Sequence, residues 1–205
     1  TSKCTFVTAQ INGVKIAYRA FENLVYVTHP VDVNYEKINI YVPEAYLQDE
    51  TINGYSAKTA PIFLPNTIGG YMPGPAGTLK NGPFGGGPSA ALVALSKGNV
   101  VAEPGARGRT LKDSSGHFTG KAPAFIVDMK AAVRYLRHNK GVIPGDTEKI
   151  ISNGTSAGGA ASALLGASGD SSDYEPYLKA LGAANERDDI FAVSLAGVGN
   201  QRGMP

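Results

Sequence analysis

The segment Gly154–Gly158 matches G-x-S-x-G, a pattern in which a serine stands on a sharp turn between a strand and a helix. An apolar run at 149–152 precedes it and a small-residue segment at 157–167 follows it, so the sequence provides that setting. Small neighbours allow other parts of the chain to approach a serine held in a strained backbone conformation. The pattern predicts Ser156 as the nucleophile of an acyl transfer, with the N–H of Ala157 as an oxyanion donor.

A glycine-rich turn between a strand and a helix has two other interpretations: tight packing without chemistry, or a cradle for a phosphate. The phosphate interpretation is disfavoured because the segment lacks both the P-loop lysine and the G-x-G-x-x-G spacing of a dinucleotide site.

A second glycine-rich segment, Asn66–Gly74, follows the apolar run at 61–64. Acyl-transfer enzymes with a serine on such a turn take one oxyanion N–H from the loop after this strand and another from the residue after the nucleophile. Gly69 and Gly70 are therefore candidate donors that act together with Ala157. The alternative is a flexible surface loop, but the aromatic residue in the segment and the two prolines nearby favour a shaped one.

A serine nucleophile needs a general base, usually a histidine oriented by a carboxylate. The chain contains His29, His117 and His138, each of which is expected to be structural or on the surface; His117 alone stands in a loop that could approach a site. In this arrangement the acid and the histidine follow the serine in the chain, and no histidine follows Ser156. We therefore expect the acid and the base to come from polypeptide beyond Pro205 or from a second chain of a nicked precursor.

The elements around these segments predict how they are positioned. From residue 61 onward, apolar strands alternate with helices, which favours an α/β fold with a mostly parallel central sheet and helices on both faces. Three N-terminal segments with β-branched and aromatic residues predict antiparallel strands before it. The predicted strands are 14–18, 24–28, 37–42, 61–64, 99–103, 149–152 and 190–195, and the predicted helices are 88–95, 124–139 and 157–167.

Composition excludes several classes of protein. A chain of 205 residues with a net charge of +2 suits one globular domain and disfavours a nucleic-acid or membrane-surface partner. No run of about 18 apolar residues is present, and the single cysteine, Cys4, has no partner for an internal disulfide. The predicted chemistry requires no metal and no cofactor, and the sequence does not assign a cellular compartment.

Several longer strings resemble bacterial tannases (tannin acylhydrolases), and the likeness extends over most of residues 35–195. The strings are 65–74, 105–109, 131–137, 151–159 and 186–193. The resemblance implies an α/β-hydrolase fold in which Ser156 attacks the ester carbonyl of galloyl or related phenolic esters. It also implies that the triad's Asp and His, and an inserted cap that grips the phenolic ring, lie C-terminal of Pro205. The chain is then the N-terminal portion of one α/β-hydrolase domain.

The residues themselves leave three alternatives open. A feruloyl or general carboxylesterase and a peptidase of the same fold would share the same serine and the same glycine-rich loops. A hydrolase-like binding domain without catalysis would share the fold but not the reactivity of the serine.

Overall fold

The structure, a computed structural model, describes residues 3–66, 68–79 and 88–196. Its strands form one sheet in the order β1-β2-β3-β5-β4-β6-β7. The pairs β1–β2, β2–β3 and β3–β5 are antiparallel, whereas β5, β4, β6 and β7 run parallel. This confirms the predicted mixed sheet. The strands are β1 Lys3–Ile11, β2 Val14–Val25, β3 Lys37–Pro43, β4 Pro61–Pro65, β5 Val100–Pro104, β6 Asp146–Thr155 and β7 Ala192–Ala196.

The two N-terminal strands differ from the prediction. The segments predicted as separate strands at 14–18 and 24–28 form the single strand β2, which ends at Val25, and β1 was not predicted. A shift of register between Phe21 and Leu24, where Asn23 has a φ of 60°, interrupts the alternation and makes one strand look like two. The Asn12-Gly13 turn, with φ values of 49° and 79°, is the hairpin signal that identifies β1.

Helices pack on both faces of the sheet, as predicted. One core contains Ala91 and Leu95 of α2 against Val101 of β5, and the other contains α3 and α4 against the opposite face of the same strands. Alternate residues of a strand point to opposite faces, so the short apolar strands β4 and β5 are buried on both sides. The helices are α1 Glu44–Leu47, α2 Ala90–Ser96, α3 Ala124–His138, α4 Ala157–Ala167 and α5 Glu175–Ala180.

Helix α3 confirms the helix predicted over 124–139, but two of its charged side chains are not at the surface. Its residues Lys130 and Arg134 are buried, and both contact the fully buried Asp188. The Nζ of Lys130 and the Nη2 of Arg134 each lie 2.8 Å from a carboxylate oxygen of Asp188. The charges therefore pair inside the protein, and they tie α3 to the segment that leads into β7.

Within the described ranges, no helix is both long enough and apolar enough to cross a membrane.

Candidate active site

The two glycine-rich segments meet where the direction of the chain connections reverses. Strand β4 lies beside β6, but the chain leaves β4 toward α2 on one face and leaves β6 toward α4 on the other. A crevice opens at the carboxyl ends of two such strands, and ligands of open α/β sheets bind there. Asn66 follows the end of β4, and Ser156 follows the end of β6.

Ser156 stands alone between Thr155, the last residue of β6, and Ala157, the first residue of α4. Its backbone has φ 56° and ψ −121°, which is a conformation that L-residues adopt at an energetic cost of about 1–3 kcal/mol. The residue is exposed, and its side chain does not cap the helix. The predicted strand–turn–helix geometry is therefore present, and an otherwise unfavourable turn directs this hydroxyl toward solvent.

The glycines around Ser156 are required by packing. A Cβ on Gly154 would overlap the backbone carbonyl of Gly158, and a Cβ on Gly158 would overlap the side-chain oxygen of Asn66. Any larger residue at either position would push the strand, the helix and the loop after β4 apart.

Asn66, which the sequence analysis did not single out, joins the two segments. Its backbone N–H donates to the carbonyl of Asn153 in β6 at 2.9 Å. Its side-chain amide donates to the carbonyl of Gly158 at 3.1 Å and to the hydroxyl of Ser162 at 2.9 Å. The signal available in the sequence was a polar residue placed directly after a strand buried on both faces.

The predicted oxyanion loop forms a tight turn from Gly69 to Met72. The N–H of Met72 donates to the carbonyl of Gly69 at 3.0 Å, and the central residues Gly70 and Tyr71 both have a φ of 58°. Glycine accepts this conformation freely, whereas tyrosine does not. Gly69 and Gly70 are exposed, and Thr67 of the same loop lies outside the described residues.

A second loop, which follows β5, supports this turn. Gly74 and Ala106 exchange two backbone hydrogen bonds of 3.1 and 2.9 Å, and a Cβ on Gly108 would overlap the backbone of the first loop. The backbone N–H of Arg109 donates to the carbonyl of Tyr71 at 2.8 Å, and its Nε donates to the carbonyl of Gly70 at 2.9 Å. These contacts hold the Gly69–Met72 turn in a defined conformation, as expected for a shaped loop rather than a flexible one.

A buried ionic cluster anchors the second loop to the core. The Nη2 of Arg107 lies 2.8 Å from Asp128, and the Nε of Arg107 lies 3.4 Å from Glu36. The backbone N–H of Arg107 also donates to Asp128 at 2.8 Å. Burial and the nearby charge of Asp128 raise the pKa of Glu36 to about 7, so the two acids do not both carry a full charge at acidic pH.

The three histidines lie away from this crevice or at the surface. The side chain of His117 is 82% exposed and lies 3.5 Å from Asp113, and that of His138 lies at the end of α3 near Glu186. His29 is exposed beside Thr28. Among the described residues, none of them forms a hydrogen bond with Ser156.

An apolar cavity of about 460 Å³ lies beside the crevice. Its lining includes Tyr71 of the Gly69–Met72 turn and Ala161 and Leu164 of α4, but not Ser156 itself. Its lining residues are Tyr71, Arg109, Gly120, Ala122, Pro123, Phe125, Ile126, Ala161, Leu164 and Tyr174. Such a lining suits a ring or another apolar group of a ligand. In the described part of the chain, no three His, Cys, Asp or Glu residues cluster in a way that could hold a metal ion.

The mixed sheet, the helices on both faces and the serine at the strand-to-helix turn define an α/β-hydrolase fold. Within this class the chain is similar to tannases, which confirms the resemblance found in its motifs. The tannase of Fusobacterium nucleatum is 59% identical with a TM-score of 0.92, over 97% of this chain and 41% of that one. The tannase of Lactobacillus plantarum is 51% identical with a TM-score of 0.85, over 93% of this chain and 40% of that one.

A third solved structure, a tannin acyl hydrolase in complex with ethyl gallate, is 50% identical with a TM-score of 0.87, over 96% of this chain and 43% of that one. The chain thus spans about two fifths of the length of these structures. The BD-FAE family, which is feruloyl-esterase-like, matches residues 114–196. A comparison with curated proteins found no significant match.

Proposed function

We propose that the protein is a serine ester hydrolase that acts on galloyl or related phenolic esters through an acyl-enzyme. The observation that carries the proposal is the strained, exposed Ser156 at the crevice between β4 and β6. The similarity to tannases supports the same activity, and one of these relatives was solved with ethyl gallate.

In the proposed reaction, the hydroxyl of Ser156 attacks the ester carbonyl and passes its proton to a histidine base. The negative oxygen of the tetrahedral intermediate accepts hydrogen bonds from the N–H of Ala157 and from N–H groups at Gly69 and Gly70. The intermediate then expels the alcohol, which takes the proton back from the histidine. Water attacks the acyl-serine in the same way, which releases the acid and restores the serine hydroxyl.

This chain supplies the nucleophile and the oxyanion donors of that scheme. The acid, the histidine and a cap over the phenolic ring would come from polypeptide beyond Pro205, or from a second chain of a nicked precursor. The chain would then be the N-terminal portion of one α/β-hydrolase domain. The proposed reaction needs no metal and no cofactor.

A comparison of substrates on the complete protein tests the proposal against its alternatives. We expect methyl gallate to be hydrolysed with a kcat/KM at least about 100-fold above that of methyl benzoate, because a site built to hydrogen-bond hydroxyls rejects an analogue without them. The matching gallic acid amide should be cleaved far more slowly. Equal rates on both esters would favour a general carboxylesterase. Rapid cleavage of the amide would favour a peptidase, and the absence of any turnover would favour a binding domain.

The cavity beside Tyr71 should accommodate part of the phenolic ester. Leu164 lines it and is 44% exposed, so the variant Leu164→Trp should fold normally and fill the space with an indole. We expect kcat/KM for methyl gallate to fall by about 10-fold or more, the scale on which a hydrophobic pocket discriminates by size. Steady-state kinetics on the complete protein measures this.

The matched control is Val142→Trp, because Val142 is 80% exposed and lies in the loop that precedes β6 at the other end of the sheet. Its kinetics should equal those of the wild type. Inactivation by diisopropyl fluorophosphate should proceed at the wild-type rate in both variants, since neither changes the turn at Ser156. Unchanged kinetics in Leu164→Trp would show that the cavity takes no part in substrate binding.

A further inference from the structure

We propose that Arg109 is a positioning residue, which fixes the oxyanion turn Gly69–Met72 in the shape needed for catalysis. The proposal rests on the proposed function of Ser156. It assigns to Arg109 no contact with the reacting atoms; its effect passes through the peptide groups of the turn.

Arg109 holds two successive carbonyl groups of the turn. Its Nε donates to the carbonyl of Gly70 at 2.9 Å, and its backbone N–H donates to the carbonyl of Tyr71 at 2.8 Å. In a trans peptide the C=O and the following N–H point in opposite directions. A bond that holds the carbonyl of Gly70 therefore also fixes the N–H of Tyr71, and the bond to the carbonyl of Tyr71 fixes the N–H of Met72, which closes the turn on the carbonyl of Gly69. The two bonds thus constrain the turn that carries the N–H groups of Gly69 and Gly70.

The turn needs such a constraint because its own conformation is unfavourable. Gly70 and Tyr71 are both left-handed, and a tyrosine in that region persists only where surrounding contacts enforce it. The ring of Tyr71 packs edge-on against Phe125, with their centroids 6.0 Å apart, and Arg109 supplies the polar contacts on the backbone of the same residues. Without the guanidinium, we expect the turn to relax toward conformations that misplace its N–H groups.

Side-chain truncation isolates this role. Arg109 is exposed, and the backbone bond to Tyr71 remains in an alanine variant, so the variant should keep its fold. The guanidinium presents its Nε–H in a fixed plane, whereas the ammonium of lysine is a mobile point charge. Lysine at this position would therefore restore the charge without the geometry.

The experiment measures kcat and KM of the complete protein for methyl gallate in Arg109→Ala, Arg109→Lys and the control Arg187→Ala. Arg187 is also exposed, and it contacts Glu148 at 2.7 Å near the first residues of β6, at the end of that strand opposite Ser156. We expect kcat to fall by about 10- to 100-fold in both Arg109 variants, with KM within about 3-fold of the wild-type value. A misplaced oxyanion donor weakens the stabilisation of the transition state more than it weakens substrate binding. Arg187→Ala should behave like the wild type.

Chemical rescue separates positioning from a general structural role. Guanidinium chloride at millimolar concentrations should restore part of the kcat of Arg109→Ala and leave Arg187→Ala unchanged. A normal kcat in Arg109→Ala, a rise in KM alone, or equal kcat values for lysine and wild type would each overturn the proposal. The variant Ser156→Ala distinguishes failure of this proposal from failure of the proposed function. If Ser156→Ala keeps its activity, the assignment of the nucleophile is wrong. If Ser156→Ala is inactive and Arg109→Ala is normal, only the role of Arg109 is rejected.

Discussion

Replacement of Ser156 by alanine should lower kcat for methyl gallate by at least about 10⁴-fold, which is the largest effect expected from any single change in this chain. In the proposed reaction the hydroxyl oxygen of Ser156 forms the acyl-enzyme, and alanine has no atom in its place. What remains would come from the oxyanion donors and substrate binding alone, which typically keep about 10³–10⁴-fold catalysis over water. KM should change little, because the hydroxyl contributes little to ground-state binding.

Ser168→Ala is the matched control for this variant. Ser168 stands directly after the other end of α4, and its hydroxyl donates to the carbonyl of Leu164 at 2.6 Å. Loss of that bond leaves the turn at Ser156 untouched, so activity should remain at the wild-type level. An Ser156→Ala variant that retained more than a few percent of wild-type kcat would contradict the proposed nucleophile.

Replacement of Asp188 by asparagine should destabilise the fold by about 3–5 kcal/mol, the range seen when one member of a buried ion pair is removed. Lys130 is fully buried with its Nζ 2.8 Å from Asp188, so the variant would leave that cation without its counter-charge. Arg134, the other cation beside Asp188, keeps a second partner in Glu175 at 2.8 Å. Differential scanning calorimetry of the complete protein measures the fall in Tm.

Two further variants test the cause of that effect. Lys130→Met in the Asp188→Asn background should recover part of the stability, because it removes the unpaired cation and nearly preserves the volume. Asp173→Asn, at an exposed position, should change stability by less than about 0.5 kcal/mol. A Tm of Asp188→Asn equal to that of Asp173→Asn would show that the buried pair contributes nothing.

The ion pair between Asp188 and Lys130 also predicts how the stability of the fold depends on pH. Burial by itself raises the pKa of Asp188, but hydrogen bonds from Lys130 and from the N–H of Asp170 outweigh it, so the pKa lies below its ordinary value. A depressed carboxyl pKa stabilises the fold above the ordinary range and loses that contribution as the pH falls through the folded-state pKa. The Tm of the wild type should therefore decline more steeply in acid than that of Asp188→Asn.

The parallel half of the sheet was predictable because its signals are local. Strands buried on both faces are short apolar runs, and helix α4 was predicted at its observed bounds, Ala157–Ala167, from its small residues and the preceding turn. The antiparallel half of the sheet was less predictable, because the bulge at Asn23 makes the single strand β2 look like two strands in the sequence. Strand β1 is half-exposed and was not predicted, although its residues alternate between the two faces and the Asn12-Gly13 turn joins it to β2.

The candidate site was predictable only where the functional residues form a motif of neighbouring positions in the sequence. Ser156, Gly69, Gly70 and Ala157 follow from two short motifs, and the turn at Ser156 has the predicted geometry. The hydrogen bonds of Asn66 join residues about 90 positions apart in the sequence. The buried ion pairs of α3 join residues more than 50 positions apart. No local sequence pattern indicates partners at such distances. Arg109 was visible as a basic residue in a glycine-containing loop, but its partner Gly70 appears only in the fold.

The most direct test of the account is to locate the reactive residue chemically. The complete protein would be treated with a fluorophosphonate probe, digested and analysed by mass spectrometry. We predict one adduct, on the peptide that contains Ser156, which forms at the rate at which methyl gallate hydrolysis is lost and is absent from Ser156→Ala. An adduct on a different serine, or full loss of hydrolysis with Ser156 unmodified, would contradict the assignment of Ser156 as the nucleophile.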